Sequence, residues 1–353
     1  MSLDGMSASS NENGPAPRRV WRDVLVPWLG GLAALLASLL LSRVGGVVGR
    51  NSGIITAAYF LLVPVYLLRR QGVDPASFGI SLERPLRALL WAMAVAVVVF
   101  PPYIAGYEVF VRLTRGARLV LPEHPLTHFP QELRDRPEPP LRPGLHAWVE
   151  GERLVVMNTG DMATITAISG CACPARGLGR QGPQRCSDGQ VGPLVLGAGQ
   201  GVSCLVSASE RLEIRTSDPP VPVLTGAGSV ATAPGGGAFE RTVFWLPELL
   251  LLHLFGVGLP EEVFYRGLVQ TRLRSLFSRR FRLLGVEVGA EVPIASALFA
   301  LSHLVTIQAP FRLAVFFPGL LFGWLRERTG SVLAPAILHA FSNVLLEVLV
   351  RYH

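Results

Sequence analysis

The chain has 353 residues, half of them hydrophobic and only 16% charged, whereas soluble domains carry about a quarter charged residues. That balance argues against a soluble enzyme and for a membrane protein. The net charge of +7 is carried by Arg with no Lys, and it reads as a topology signal at helix ends rather than a nucleic-acid surface, so no nucleic-acid partner is expected.

In chain order, residues 1–17 are rich in Ser, Asn, Gly and Pro and are expected to be a disordered tail. Arg18, Arg19 and Arg22 precede an apolar run at 24–42. Its length, with no small-x-small cleavage site, predicts a retained anchor rather than a cleaved signal peptide. Further apolar runs at 53–68, 86–111, 247–266, 292–310, 313–325 and 331–350 predict an all-α polytopic membrane bundle of about seven transmembrane helices. Segments 18–112 hold the first three and 242–353 the last four. Pro101 and Pro102 interrupt the third run and leave open whether it is one span.

Arg residues at 18, 19 and 22, at 69, 70, 84 and 87, at 272, 274, 279, 280 and 282, and at 326 and 328 fall on alternate loops. Those loops are expected in the cytoplasm of a bacterial inner membrane, with the N-terminus cytoplasmic and the C-terminus outside.

Segment 113–241 differs in composition, with Gly, Pro and Thr and alternating runs at 147–157, 162–169 and 202–214. It is expected to be a β-rich, soluble, extracytoplasmic insert. All four cysteines, Cys171, Cys173, Cys186 and Cys204, lie in it. Two disulfides fit best, with three pairings open, and a four-cysteine zinc site is the rival. His124, His128, His146 and His353 read as surface residues, and His253 as a packed one.

Ionisable groups in hydrocarbon are costly and mark function by default. Here they cluster: Glu261, Glu262 and Arg266 on the fourth run, His303 on the fifth, and His339 with Asn343 on the seventh. Glu262 and Arg266 are spaced i,i+4 and predict a supporting ion pair, while Glu261 is turned by about 100° and left for another partner. His339 and Asn343 share the same spacing and one helix face. Tyr265 and Phe299 read as packing residues.

Three patterns in this order, Glu261-Glu262-x-x-x-Arg266, Phe299-x-x-x-His303 and His339-x-x-x-Asn343, resemble the CPBP family of CAAX-protease-related intramembrane endopeptidases. The resemblance covers 247–353 and leaves the insert outside the family's common core. It implies that Glu261 and His303 activate a water, with His339 and Asn343 stabilising the oxyanion. Peptide hydrolysis suits these types, since a base must take water's proton and donors must meet the developing charge.

No cofactor is expected. Zinc held by Glu261, His303 and His339 is the alternative, against which stands the missing HExxH pattern. The partners implied are the lipid bilayer and a membrane-anchored protein substrate. Some bacterial relatives, the myxosortases among them, act on C-terminal sorting helices of exported proteins, and an external insert suits that class by gripping the exported part. The alternatives are a CAAX-type prenyl-protein endopeptidase and a non-catalytic membrane scaffold or immunity protein of the same family.

Overall fold

The computed structural model describes residues 16–44, 48–49, 51–81, 83–115, 119, 143–150, 153–179, 186–187, 190–206, 213–217, 223–225, 230–231 and 245–351. The expected tail, save its last two residues, and His124, His128 and His353 lie outside them. Two compact units result, one of Met1–Phe110 with Leu249–Leu346, the other of Val111–Glu248 with Glu347–His353.

The helical unit opens with α1 (Pro17–Ser42) and α2 (Gly53–Arg70). They approach closely because α1 presents glycines where α2 presents rings: a Cβ at Gly31 would lie 2.7 Å from the Phe60 ring. Small residues that let helices approach are the usual adhesive of membrane bundles, where water offers no driving force. Tyr59 donates a 3.0 Å hydrogen bond to the Pro27 carbonyl across the same contact. Helix α3 (Pro85–Arg115) runs through Pro101 and Pro102 without a break. Its Ala88, Ala92 and Ala96, four apart, form one buried face against Phe322, Leu325, Leu333 and Leu338.

Residues 245–273 form one helical run of mixed pitch. It comprises α4 (Trp245–His253), π-helical Leu254–Gly258, α5 (Leu259–Glu262), π-helical Val263–Gln270 and α6 (Thr271–Leu273). A hairpin of β12 (Phe281–Leu283) and β13 (Val286–Val288) leads into α7 (Glu291–Thr306). A 3₁₀ turn at Pro310–Val315, then α8 (Phe316–Thr329) and α9 (Leu333–Arg351) complete the unit.

Among the described residues, four helices are long and apolar enough to cross a membrane: Pro17–Ser42, Gly53–Arg70, Pro85–Thr114 and Leu333–Val350. Seven were expected. The difference has a structural cause: the fourth run is divided by π segments, α7 has only 16 residues, and α8 has 14 after a 3₁₀ start. The protein is mostly helical, with β-sheet segments.

The other unit carries the remaining strands. Its six-stranded sheet has the order β11 (Val230–Ala231), β10 (Val223–Thr225), β1 (Leu145–Glu150), β2 (Arg153–Asn158), β8 (Gln200–Val206), β4 (Cys171–Leu178). Its five-stranded sheet has the order β5 (Cys186–Ser187), β6 (Gln190–Val191), β3 (Ala163–Ser169), β7 (Leu194–Leu196), with β9 (Glu213–Thr216) also paired to β3. The run 147–157 divides into β1 (Leu145–Glu150) and β2 (Arg153–Asn158), antiparallel with Glu150 opposite Arg153. The run 202–214 likewise divides between β8 (Gln200–Val206) and β9 (Glu213–Thr216). Leu145, Leu154 and Val156 of the larger sheet and Ile165, Ile168 and Leu196 of the smaller share one core. Cys171 of β4 (Cys171–Leu178) is bonded to Cys204 of β8, with Cα atoms 5.5 Å apart, which removes both thiols from any four-cysteine metal site. The side chains of Cys173 and Cys186 lie outside the described residues. His146, expected at the surface, is buried with 3% exposure on β1.

Candidate active site

The glutamate pair lies in the single α-helical turn between the two π segments. A π-helix widens the turn and re-aims side chains, and such stretches concentrate at functional sites. Glu262 is fully buried and lies 3.2 Å from Nε of Arg266, itself fully buried. The Arg266 guanidinium also donates to the Gly319 carbonyl at 3.0 Å and lies over the rings of Phe299 and Phe322, 4.6 and 5.4 Å from their centroids. A Cβ at Gly319 would sit tightly there, 3.3 Å from that guanidinium and 3.1 Å from Ser296. One turn on, Gly323 opens the same groove to Gln270, whose amide donates to the Gly323 carbonyl at 3.2 Å and to Glu327 at 2.9 Å.

His339, from α9, enters between the two carboxylates. Its Nδ1 is 3.0 Å from Oε1 of Glu262 and its Nε2 is 3.8 Å from Oε2 of Glu261. The ring is stacked on Phe322 at 4.9 Å and meets Phe299 edge-on at 5.9 Å. A carboxylate can only accept, so with Glu262 ionised against Arg266 the Nδ1–H is the donor and Nε2 is aimed at Glu261. The expected Glu262–Arg266 geometry is present, and the same Glu262 also orients a histidine, which helical spacing alone did not show.

Glu261 itself is 17% exposed, and its Oε2 is buried without a hydrogen bond among the described residues. It lines a cavity of about 560 Å³ together with Ser38, Ser52, Thr56, Gly256, Pro260 and Thr306. His253, read as packed, lines the same cavity. The walls are the end of α1, the start of α2, the first half of the 245–273 run and the end of α7.

His303 lies in the last turn of α7, where its Nδ1–H donates to the Phe299 carbonyl at 2.9 Å. A carbonyl cannot donate, so the neutral ring keeps Nε2 as its acceptor. Phe299 packs on it edge-to-face at 4.5 Å. No hydrogen bond joins His303 to Glu261 among the described residues, and Asn343 is half-buried without a hydrogen-bond partner among them. The described residues gather no group of three His, Cys, Asp or Glu side chains fit to hold a metal ion.

Tyr265 does more than pack. Its hydroxyl donates to Ser302 Oγ at 2.6 Å, Trp28 Nε1 donates to the same oxygen at 3.0 Å, and Ser302 donates to the Leu298 carbonyl at 3.0 Å. This buried network ties α1, the glutamate run and α7 together beside the site, and each of its polar atoms is satisfied. Ser302, adjacent to His303 in sequence, was its one legible signal.

Helices of spanning length and apolar composition mark a membrane protein, and Glu262 and His339 are buried within its helical unit. Residues 243–345, under a third of the chain, match the Rce1-like family, described as Type II CAAX prenyl endopeptidase Rce1-like. That segment, which holds all seven residues of the three motifs, is thus similar to this CAAX-protease (CPBP) family of membrane proteases. No curated protein and no solved structure matches the chain.

Proposed function

We propose that the protein is an intramembrane endopeptidase that hydrolyses a peptide bond in or near the membrane-anchoring segment of a substrate protein, with Glu261 as the base. The observation that carries this reading is the chain of contacts Arg266–Glu262–His339–Glu261, which ends on a carboxylate facing a cavity. Glu261 takes a proton from water, the resulting hydroxide attacks the scissile carbonyl carbon, and collapse of the tetrahedral intermediate expels an amine that receives the proton.

His303 presents Nε2 as an acceptor for that water. Glu262 holds His339 so that Nε2 faces the reaction centre. The 3.8 Å gap is longer than a hydrogen bond, and contacts of this kind tighten when substrate is bound. His339 donates to the oxyanion only when Nε2 also carries a proton, and the Asn343 amide supplies a second donor. Metal is not required in this scheme.

The substrate favoured is the C-terminal sorting helix of an exported protein, in a bundle of seven spans with the insert and C-terminus outside. The cavity walls support this: the end of α1 and the start of α2 are the ends opposite the loops carrying Arg18, Arg19 and Arg22 and Arg69, Arg70, Arg84 and Arg87, although Arg43 and Arg50 lie between them, and positive-inside topology assigns the more Arg-rich loops to the cytoplasm. A prenylated CAAX-type protein is the second reading, favoured by the family description.

The test is reconstitution of the purified protein with a sorting-helix substrate and a prenylated CAAX substrate. Cleavage of the first and its abolition by Glu261→Gln are expected; cleavage of the prenylated substrate alone assigns the second reading. Undiminished cleavage by Glu261→Gln would remove Glu261 as the base.

A further inference from the structure

We propose that the β12–β13 hairpin is an interfacial anchor, its tip immersed at the acyl-chain boundary of a leaflet rich in anionic phospholipid, with Arg279 and Arg282 on lipid phosphates. Strand register sets the geometry. Phe281 is opposite Val288 and Leu283 opposite Val286, so these four share one face, while Arg282 and Glu287 share the other. Val286 and Val288 are buried with Val292 against Leu320 and Trp324. The same apolar face then continues past the bundle: Phe281 is 59% exposed and Leu283 46%. Unlike the exposed apolar residues of the spanning helices, these belong to a connection between helices.

The turn is the second observation. Leu284 and Gly285 both have positive φ, 47° and 78°, as a two-residue hairpin of primed type requires. Asn, Asp or Gly meets that demand without steric conflict, whereas Leu is strained there. Leu284 is also 79% exposed. A strained, exposed Leu gains nothing from the fold and gains burial only from something outside it.

Charge selects the occupant. Arg274 is paired with Glu327 and Arg280 with Glu291, at 2.6 and 2.9 Å, while Arg279 and Arg282 make no ion pair among the described residues. Two cations beside an apolar tip fit lipid phosphates above acyl chains, the arrangement of an interfacial segment. The hairpin is braced for this by the Trp324 indole, which donates to the Leu283 carbonyl at 3.1 Å.

The test places nitroxide labels by Phe281→Cys, Arg282→Cys, Leu283→Cys, Leu284→Cys and Glu287→Cys in the full-length protein in lipid nanodiscs, with the signal of the unsubstituted protein subtracted. Collisions with oxygen should exceed those with a water-soluble nickel chelate at 281, 283 and 284 and reverse at 282 and 287. The label at 284 should move toward water when phosphatidylglycerol is replaced by phosphatidylcholine, or when Arg279→Gln and Arg282→Gln are combined with it. Addition of inorganic phosphate should leave the depth unchanged. Chelate access at all five positions overturns the anchor. A depth at 284 indifferent to lipid charge overturns the headgroup role, and reversal by inorganic phosphate reassigns the arginines to a free anion.

Discussion

Glu262 holds the His339 imidazole through a 3.0 Å hydrogen bond to Nδ1 while its other oxygen is paired with Arg266. One carboxylate thereby neutralises a buried guanidinium and fixes a ring, so its removal has two separable effects. Glu262→Ala leaves Arg266 charged and unpaired in an apolar interior, a loss of about 3–5 kcal/mol. Replacing both partners, Glu262→Leu with Arg266→Met, should restore most of the thermal stability in detergent. Activity should stay down about 10²-fold, because the histidine has lost its orientation. Recovery of activity along with stability would show that Glu262 serves the fold alone.

Gly319 and Gly323 let α8 reach the glutamate run. A Cβ at Gly323 would lie 2.7 Å from Val292 and 2.8 Å from the Gln270 amide oxygen. Gly323→Ala is therefore expected to destabilise by about 1–3 kcal/mol, the usual range for overpacking. Thermal unfolding of the purified protein measures it, and an unchanged midpoint would mean that the helices move apart freely.

Much of this was legible beforehand, and the exceptions have physical causes. The Glu262–Arg266 pair follows from i,i+4 spacing, and the strands from alternating runs. The described residues hold four helices of spanning length against the seven expected, because α7 and α8 are shortened by the hairpin and the 3₁₀ turn. The π segments were invisible, because no periodicity announces a wider turn. The partner of His339 was hidden for the same reason, since Glu261 and Glu262 diverge on an ideal helix yet both reach one imidazole through its opposite nitrogens. The Gly319-x-x-x-Gly323 spacing was a signal of close approach that went unread.

The Cys171–Cys204 bond closes a separation of 33 residues and joins neighbouring strands. Cys171→Ala with Cys204→Ala should cost about 2–5 kcal/mol of stability. Limited proteolysis with and without reductant reads this out: faster digestion of the β-rich segment is expected, and an unaltered rate would show the bond to be dispensable.

The proposed scheme uses Glu261 as the base and needs no metal, so peptidase activity should survive exhaustive chelation. Loss of activity to the chelator, restored stoichiometrically by zinc, would contradict metal-free catalysis.

The central claim is that Glu261 performs proteolysis of membrane-anchored substrates. It is tested most directly by comparing the C-termini of membrane and exported proteins in cells carrying the native chain and Glu261→Gln. The account predicts a set of proteins that retain a C-terminal hydrophobic helix only in the variant. Identical C-termini, with both chains present at equal level, would contradict it.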